Sequence, residues 1–268
     1  MAKGTQVAVQ KEQTAIAVYE GFEGDAGSGF EEITSSDLSI PFLRILAQLS
    51  PQVNKRDGAY IQGAEPGMIL NTLTNEAYNG DEGILVIPCY TNRRLVEWTP
   101  REKGGGYVAT HLPTDPIAKT TRQDERNNDI LPNGNLLTNT YQIFVILLHP
   151  ELGPQRCLIT MTSTQTKKAK KWIGQMQAFQ GRRKDGSVYT MPMASNVYRL
   201  RTVEERNDKG SWFGWEFKRE RVFDLKNQED KDLYTLASGF TVSLKSGEIT
   251  VKADITETHT EDEDEAPF

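Results

Sequence analysis

Four lysines, Lys167, Lys168, Lys170 and Lys171, run directly into Trp172. Ten residues after Trp172 come Arg182, Arg183 and Lys184, and the stretch 212–221 reads Trp-Phe-Gly-Trp-Glu-Phe-Lys-Arg-Glu-Arg. Cations interleaved with aromatic rings are suited to a polyanion whose flat groups are exposed. Lysine and arginine track phosphates, and rings stack on unpaired bases at roughly 1–3 kcal/mol each. A fourth group has the same make-up. Arg93, Arg94, Arg101 and Lys103 lie close in sequence to Tyr90, Trp98 and Tyr107, beside the run Gly104-Gly105-Gly106. The candidate phosphate contacts are Lys167, Lys168, Lys170, Lys171, Arg182, Arg183, Lys184, Arg93, Arg94 and Arg101. Trp172, Trp212, Trp98 and Tyr107 are the candidate stacking rings.

Catalytic motifs are missing from the sequence. No Gly-x-x-x-x-Gly-Lys-Ser/Thr loop occurs, and the triple glycine is followed by Tyr107. No Gly-x-Ser-x-Gly elbow occurs either. His111, His149 and His259 are far apart and have no metal-ligand companion three or four residues away. The pairs Asp81-Glu82 and Asp124-Glu125 fall in turn-like segments. The expectation is a protein that is not an enzyme and needs no metal or cofactor.

The elements that position the cations follow from periodicity. Tyr141–His149 is the strongest strand pattern, and it turns through Pro150–Pro154 into Cys157–Thr162. Trp172, Ile173, Met176 and Phe179 fall on one side of a helix that Ser163 or Thr164 caps and Gly181 ends. The lysines form its broad cationic face. Val197–Thr202 and Trp212–Phe223 read as a hairpin around Asn207–Gly210. On its second strand Phe213, Trp215, Phe217 and Arg219 share a face, which is either core or a stacking platform. Earlier, a short helix is expected to carry Phe42, Leu43, Ile45, Leu46 and Leu49 up to Pro51. Gly67–Tyr78 reads as strand and turn. Gly83–Tyr90 and Leu95–Trp98 read as two strands with a turn at Arg93-Arg94. Residues 99–138, rich in Gly and Pro, read as a long loop. A last helix covers about Gln228–Ser238.

The expected fold is mainly β with α: an OB-like antiparallel barrel or curled sheet with one long helix. Its boundaries are a flexible acidic arm over 1–36, a basic domain over 37–247 and an acidic tail over 248–268. With 37% apolar residues in 268, the chain can bury a real core. The longest apolar run, Ile143–Leu148, is far below the roughly 18 residues of a membrane span. Met1–Gln6 opens no signal peptide, and Cys89 and Cys157 sit in apolar runs, so a cytoplasmic protein without a membrane partner is expected.

The net charge of −6 conceals a partition. Residues 1–39 carry 2 basic and 7 acidic side chains, residues 40–226 carry 26 and 19, and residues 227–268 carry 3 and 11. A centre of +7 thus lies between ends of −5 and −8. The acidic total therefore does not argue against a polyanion-binding centre.

The sequence ends in five consecutive acids, Glu261–Glu265, then Ala266-Pro267-Phe268. Adjacent carboxylates repel, so this string suits a solvated interaction tail, with Pro267 stiffening the backbone before one exposed ring. Glu263, Asp264, Glu265, Pro267 and Phe268 resemble the acidic tip of bacterial and phage single-stranded DNA-binding proteins, with Ala266 where the bacterial tip has Ile. The wider plan, a basic β-rich body with an acidic tail, resembles replication proteins of tailed phages. The resemblance implies an OB-type barrel that coats single-stranded DNA in the host cytoplasm during replication and recombination. It also implies a tip that docks onto replication or recombination proteins. A strand-annealing recombination protein, a virion or assembly protein without DNA affinity, and a nuclease are the alternatives.

Overall fold

A computed structural model of the protein describes residues 20–33, 38–125, 127–207, 210–249 and 251. In chain order the strands are β1 (Leu43–Ile45), β2 (Ile69–Asn71), β3 (Glu76–Tyr78), β4 (Ile84–Trp98), β5 (Tyr107–His111), β6 (Arg122–Gln123), β7 (Asp129–Ile130), β8 (Leu136–His149), β9 (Gly153–Met161), β10 (Gln180–Arg182), β11 (Val188–Thr190), β12 (Asn196–Asn207) and β13 (Gly210–Val222). Helix α1 (Gln165–Ala178) lies between β9 and β10, and α2 (Gln228–Ser246) follows β13.

The large sheet has the order β13-β12-β4-β8-β7-β6, with β5 added to β4 and β9 to β8, and its pairings are antiparallel. β1, β2 and β3 form a small second sheet, and β10 and β11 form a separate ribbon. The long strand β4 changes partners along one edge. Ile84–Val86 pair with β12 and Leu95–Trp98 with β5. Between them lies Pro88, which has no N–H to donate, and the register to β8 shifts between Pro88 and Tyr90. Proline inside a strand is tolerated at such a bulge, and a bulge increases the local bend. The result is the mainly β architecture expected, a curled half-barrel sheet with two helices, consistent with an OB-like fold.

Both faces of this sheet are covered. On one face Val86, Ile143, Val145, Leu147, Ile159 and Leu200 pack under Trp172 and Met176 of α1. On the other, Ile87, Phe144, Ile146 and Leu158 pack under Leu233, Ala237 and Phe240 of α2. α2 is specified by its ends. The Asn227 side chain accepts from the Asp230 N–H at 3.2 Å, and Gly247 closes it with φ of 78°. It extends eight residues beyond the Ser238 end read from the sequence. Ile249 is buried and Val251 packs on the same cluster, so the body reaches past residue 248. Cys89 and Cys157 belong to opposite clusters, and burial pushes both thiols up to about 12. Among the described residues, no helix is long and apolar enough to cross a membrane.

Three local readings change. The stretch 42–49 does not form a helix: Leu43–Ile45 is extended on β2, and the Leu158 N–H donates to the Pro41 carbonyl at 2.8 Å. That contact docks the segment against β9, and a tertiary partner overrides a helical spacing. Arg93 and Arg94 do not form a turn but continue β4, opposite Tyr141 and Thr140. No glycine or proline occurs there to break the strand, and β8 supplies a ladder throughout. The interval 99–138 contains β5, β6 and β7, and β8 begins at Leu136. Most of the 1–36 arm and of the acidic tail, including Glu263, Asp264, Glu265, Pro267 and Phe268, lies outside the described residues. Residues 20–33 are exposed.

Candidate nucleic-acid interface

α1 presents its lysines because its other side is apolar at helical spacing. Ala169, Trp172 and Met176 are buried, while Lys167, Lys170 and Lys171 are exposed. Lys168 is half-buried and pairs with Glu205 at 2.8 Å. Neither Thr164 nor Ser163 caps the helix in the expected way. Thr164 makes no side-chain cap bond, and Ser163 is left-handed with φ of 45°.

The helix lies along edge strand β13 and runs in the same direction. At its start the Trp215 N–H donates to Gln165 Oε1 at 3.1 Å, which covers one edge group of the strand. In the middle Trp172 stacks on Phe217, with centroids 4.8 Å apart and planes within 8°. At its end Arg219 sits 4.1 Å over the Phe179 ring. Close approach is allowed at Gly214, where a Cβ would lie 2.5 Å from Lys168 Nζ and 2.6 Å from Glu205 Oε2.

This packing corrects two stacking candidates. Trp172 has no exposed surface, and Trp98 is buried in T-shaped contact with Tyr107. Neither offers a face to a base. Trp215 is buried too, and Phe217 is roofed by Trp172, so the aromatic face of β13 is core. Trp212 is half-buried, and its Nε1 donates to Glu205 Oε2 at 3.0 Å, which ties the ring to the Lys168 ion pair. Tyr107 is exposed, with its hydroxyl 3.1 Å from Thr110 Oγ1.

From the end of α1 the ribbon β10–β11 carries the second cation cluster. Gly181 makes room for its partners across the ribbon, since a Cβ there would lie 2.7 Å from both Tyr189 and Met191. At the tip the Arg183 N–H donates to the Ser187 carbonyl at 2.8 Å, and Gly186 takes φ of 88°. Arg182, Arg183 and Lys184 are exposed. Arg182 donates to the Gly186 carbonyl at 2.9 Å, and Arg183 lies 4.8 Å over the Tyr189 ring. Hydrogen bonds from the Ser187 hydroxyl and backbone N–H hold the Asp185 carboxyl below its ordinary value. Residues 165–191 hold seven basic side chains against that single acid.

The fourth cluster divides. Arg93 neighbours Tyr141, which neighbours Met161 just before α1, so Arg93 is on the α1 face of the sheet. Its Nε donates to Asn139 Oδ1 at 2.6 Å. Arg94 faces the other way and donates to the Arg93 carbonyl. Arg101 and Lys103 are exposed on a short 3-10 turn beyond Trp98. The candidate surface is therefore α1, the β10–β11 ribbon and the Arg219 end of β13, with Arg93 on the same face. Three of its residues were not singled out as contacts from the sequence. Phe179 reads as helix core and Arg219 as one cation among several. Tyr189 gives no signal, because its pairing with Arg183 depends on the ribbon register.

A separate polar cluster lies at the far end of β4. Buried Glu97 accepts from Asn135 at 2.6 Å and Asn133 at 3.0 Å, and lies 2.9 Å from His111 Nε2. His111 Nδ1 is 3.8 Å from Asp115. Burial alone raises the Glu97 pKa, but the bonds from Asn135, Asn133 and His111 together outweigh it and hold the carboxyl below its ordinary value. Among the described residues, no group of three or more His, Cys, Asp or Glu is arranged to hold a metal ion.

A family model described as Pam3 phage gp34-like protein matches residues 10–250. No curated protein and no solved structure matches the chain.

Proposed function

We propose that this chain, which belongs to the Pam3 phage gp34-like family, is a single-stranded DNA-binding protein of phage replication or recombination. One observation carries the reading. α1 and the β10–β11 ribbon present Lys167, Lys170, Lys171, Arg182, Arg183 and Lys184 to solvent on consecutive elements whose sole acid is Asp185. Such a surface has a phosphate backbone as its natural ligand. Binding is stoichiometric, without a catalytic step. It takes place in the cytoplasm of the host, and the acidic segment Glu261–Phe268 recruits replication or recombination proteins.

The test is a titration of labelled oligo-dT and of duplex DNA of equal length at two salt concentrations. Tight binding to oligo-dT that weakens steeply with salt is expected. If the six cations each neutralise one phosphate, log K falls with log salt at a slope of about −4. Charge reversal at Lys167, Lys170 and Lys171 together lowers the affinity and flattens that slope. Binding that ignores salt, or no binding at all, refutes the reading.

A further inference from the structure

The cationic surface contains two arginines set over rings, and this arrangement reaches beyond phosphate binding. Arg219 lies 4.1 Å over Phe179, and Arg183 lies 4.8 Å over Tyr189. Both arginines are exposed, and both rings are half-buried, so each pair opens to solvent. The two rings are tied by one ribbon. The Met191 N–H donates to the Phe179 carbonyl at 2.9 Å, and Tyr189 is the register partner of Gly181, two residues after Phe179. Among the described residues, neither guanidinium is in an ion pair with a carboxylate. Arg183 makes one side-chain bond, to Ser187 Oγ at 3.2 Å. Their charge is thus available to a ligand.

We propose that the Phe179–Arg219 and Tyr189–Arg183 pairs are docking places for unstacked nucleobases. A base extends each stack on the outer guanidinium plane or displaces the guanidinium from its ring. Lys170, Lys171, Arg182 and Lys184 hold the adjoining phosphates. This inference rests on the single-stranded DNA reading and adds the determinant of strand state. Bases paired in a duplex are stacked already and have no plane to offer, whereas those of a single strand have two. It also moves the stacking role from the tryptophans, which pack in the core or against Glu205, to a phenylalanine at the end of α1 and a tyrosine on β11.

The experiment compares full-length protein binding to labelled oligo-dT and to an abasic oligomer of the same length and phosphate charge. The wild type binds oligo-dT at least about tenfold more tightly than the abasic strand. The double substitution Phe179→Leu and Tyr189→Leu keeps apolar cover but removes the rings. It loses that preference while its abasic affinity and salt slope stay. The single variant Tyr189→Leu, on the exposed ribbon, loses part of it, and an unchanged thermal melting curve confirms that the fold is retained. Lys170→Gln with Lys171→Gln weakens both ligands alike. Equal wild-type affinity for the two strands overturns the inference and leaves the electrostatic reading standing. An unchanged preference in the folded ring variants overturns the assignment to these pairs. Failure to bind either strand overturns both readings together.

Discussion

Glu97 shows what one carboxylate contributes when its partners are fixed. It is buried, and Asn133, Asn135 and His111 converge on it from β5 and the turn before β8. Its pKa is held below the ordinary value near 4.3, so the unfolded chain binds this proton more readily than the folded one. The resulting stability is full above the unfolded pKa and is lost as pH falls through the folded one. Glu97→Gln should therefore cost about 1–3 kcal/mol at neutral pH, because a charged acceptor is lost and its donors are left short. The cost should shrink on acidification below about pH 4. Urea midpoints of both proteins between pH 3 and 7 check this, and parallel curves would contradict it. None of this cluster was legible in the sequence. Glu97 and His111 look like unrelated polar residues until β5 pairs with β4 and sets Leu95 opposite His111.

At the scale of elements, what could be read depended on how local the cause was. α1, β8 and the β12–β13 hairpin were legible because apolar spacing and a turn sequence specify them within about fifteen residues. β1 was misread because its extended form comes from β2 and β9, both distant in sequence. The cations could be named from the sequence because lysines on an amphipathic helix must face water. The rings could not, since the role of a tryptophan depends on what covers it. Trp172 is the clearest case: it touches Phe217 and Tyr198 and has no exposed surface, so it fastens α1 to the sheet. Trp172→Ala should cost about 3–5 kcal/mol of stability. The folded protein should still bind oligo-dT with the wild-type salt dependence, measured below its melting range. Wild-type stability together with lost binding would return the ring to the interface and sink this account.

For the whole molecule, the partition of charge is the organising fact. A body with a basic surface on α1 and the β10–β11 ribbon is followed by residues 252–268, which carry seven acids and one lysine. Seventeen residues span at most about 60 Å, while a chain of this length folds to a radius of gyration of about 18 Å. That reach is comparable to the size of the body, so the acidic segment is long enough to approach the body's own cationic surface. Tethering gives such a segment an effective concentration around the millimolar range. On the proposed function it competes with DNA for the same lysines and arginines, and DNA that wins displaces Glu261–Phe268 toward protein partners. Removing residues 261–268 should therefore leave oligo-dT affinity unchanged or raise it, most at low salt, where the Debye length is longest. The same deletion should abolish capture of replication or recombination proteins. Weaker DNA binding by the truncated protein would count against competition, because an acidic segment that only repels or shields DNA cannot help binding by its presence.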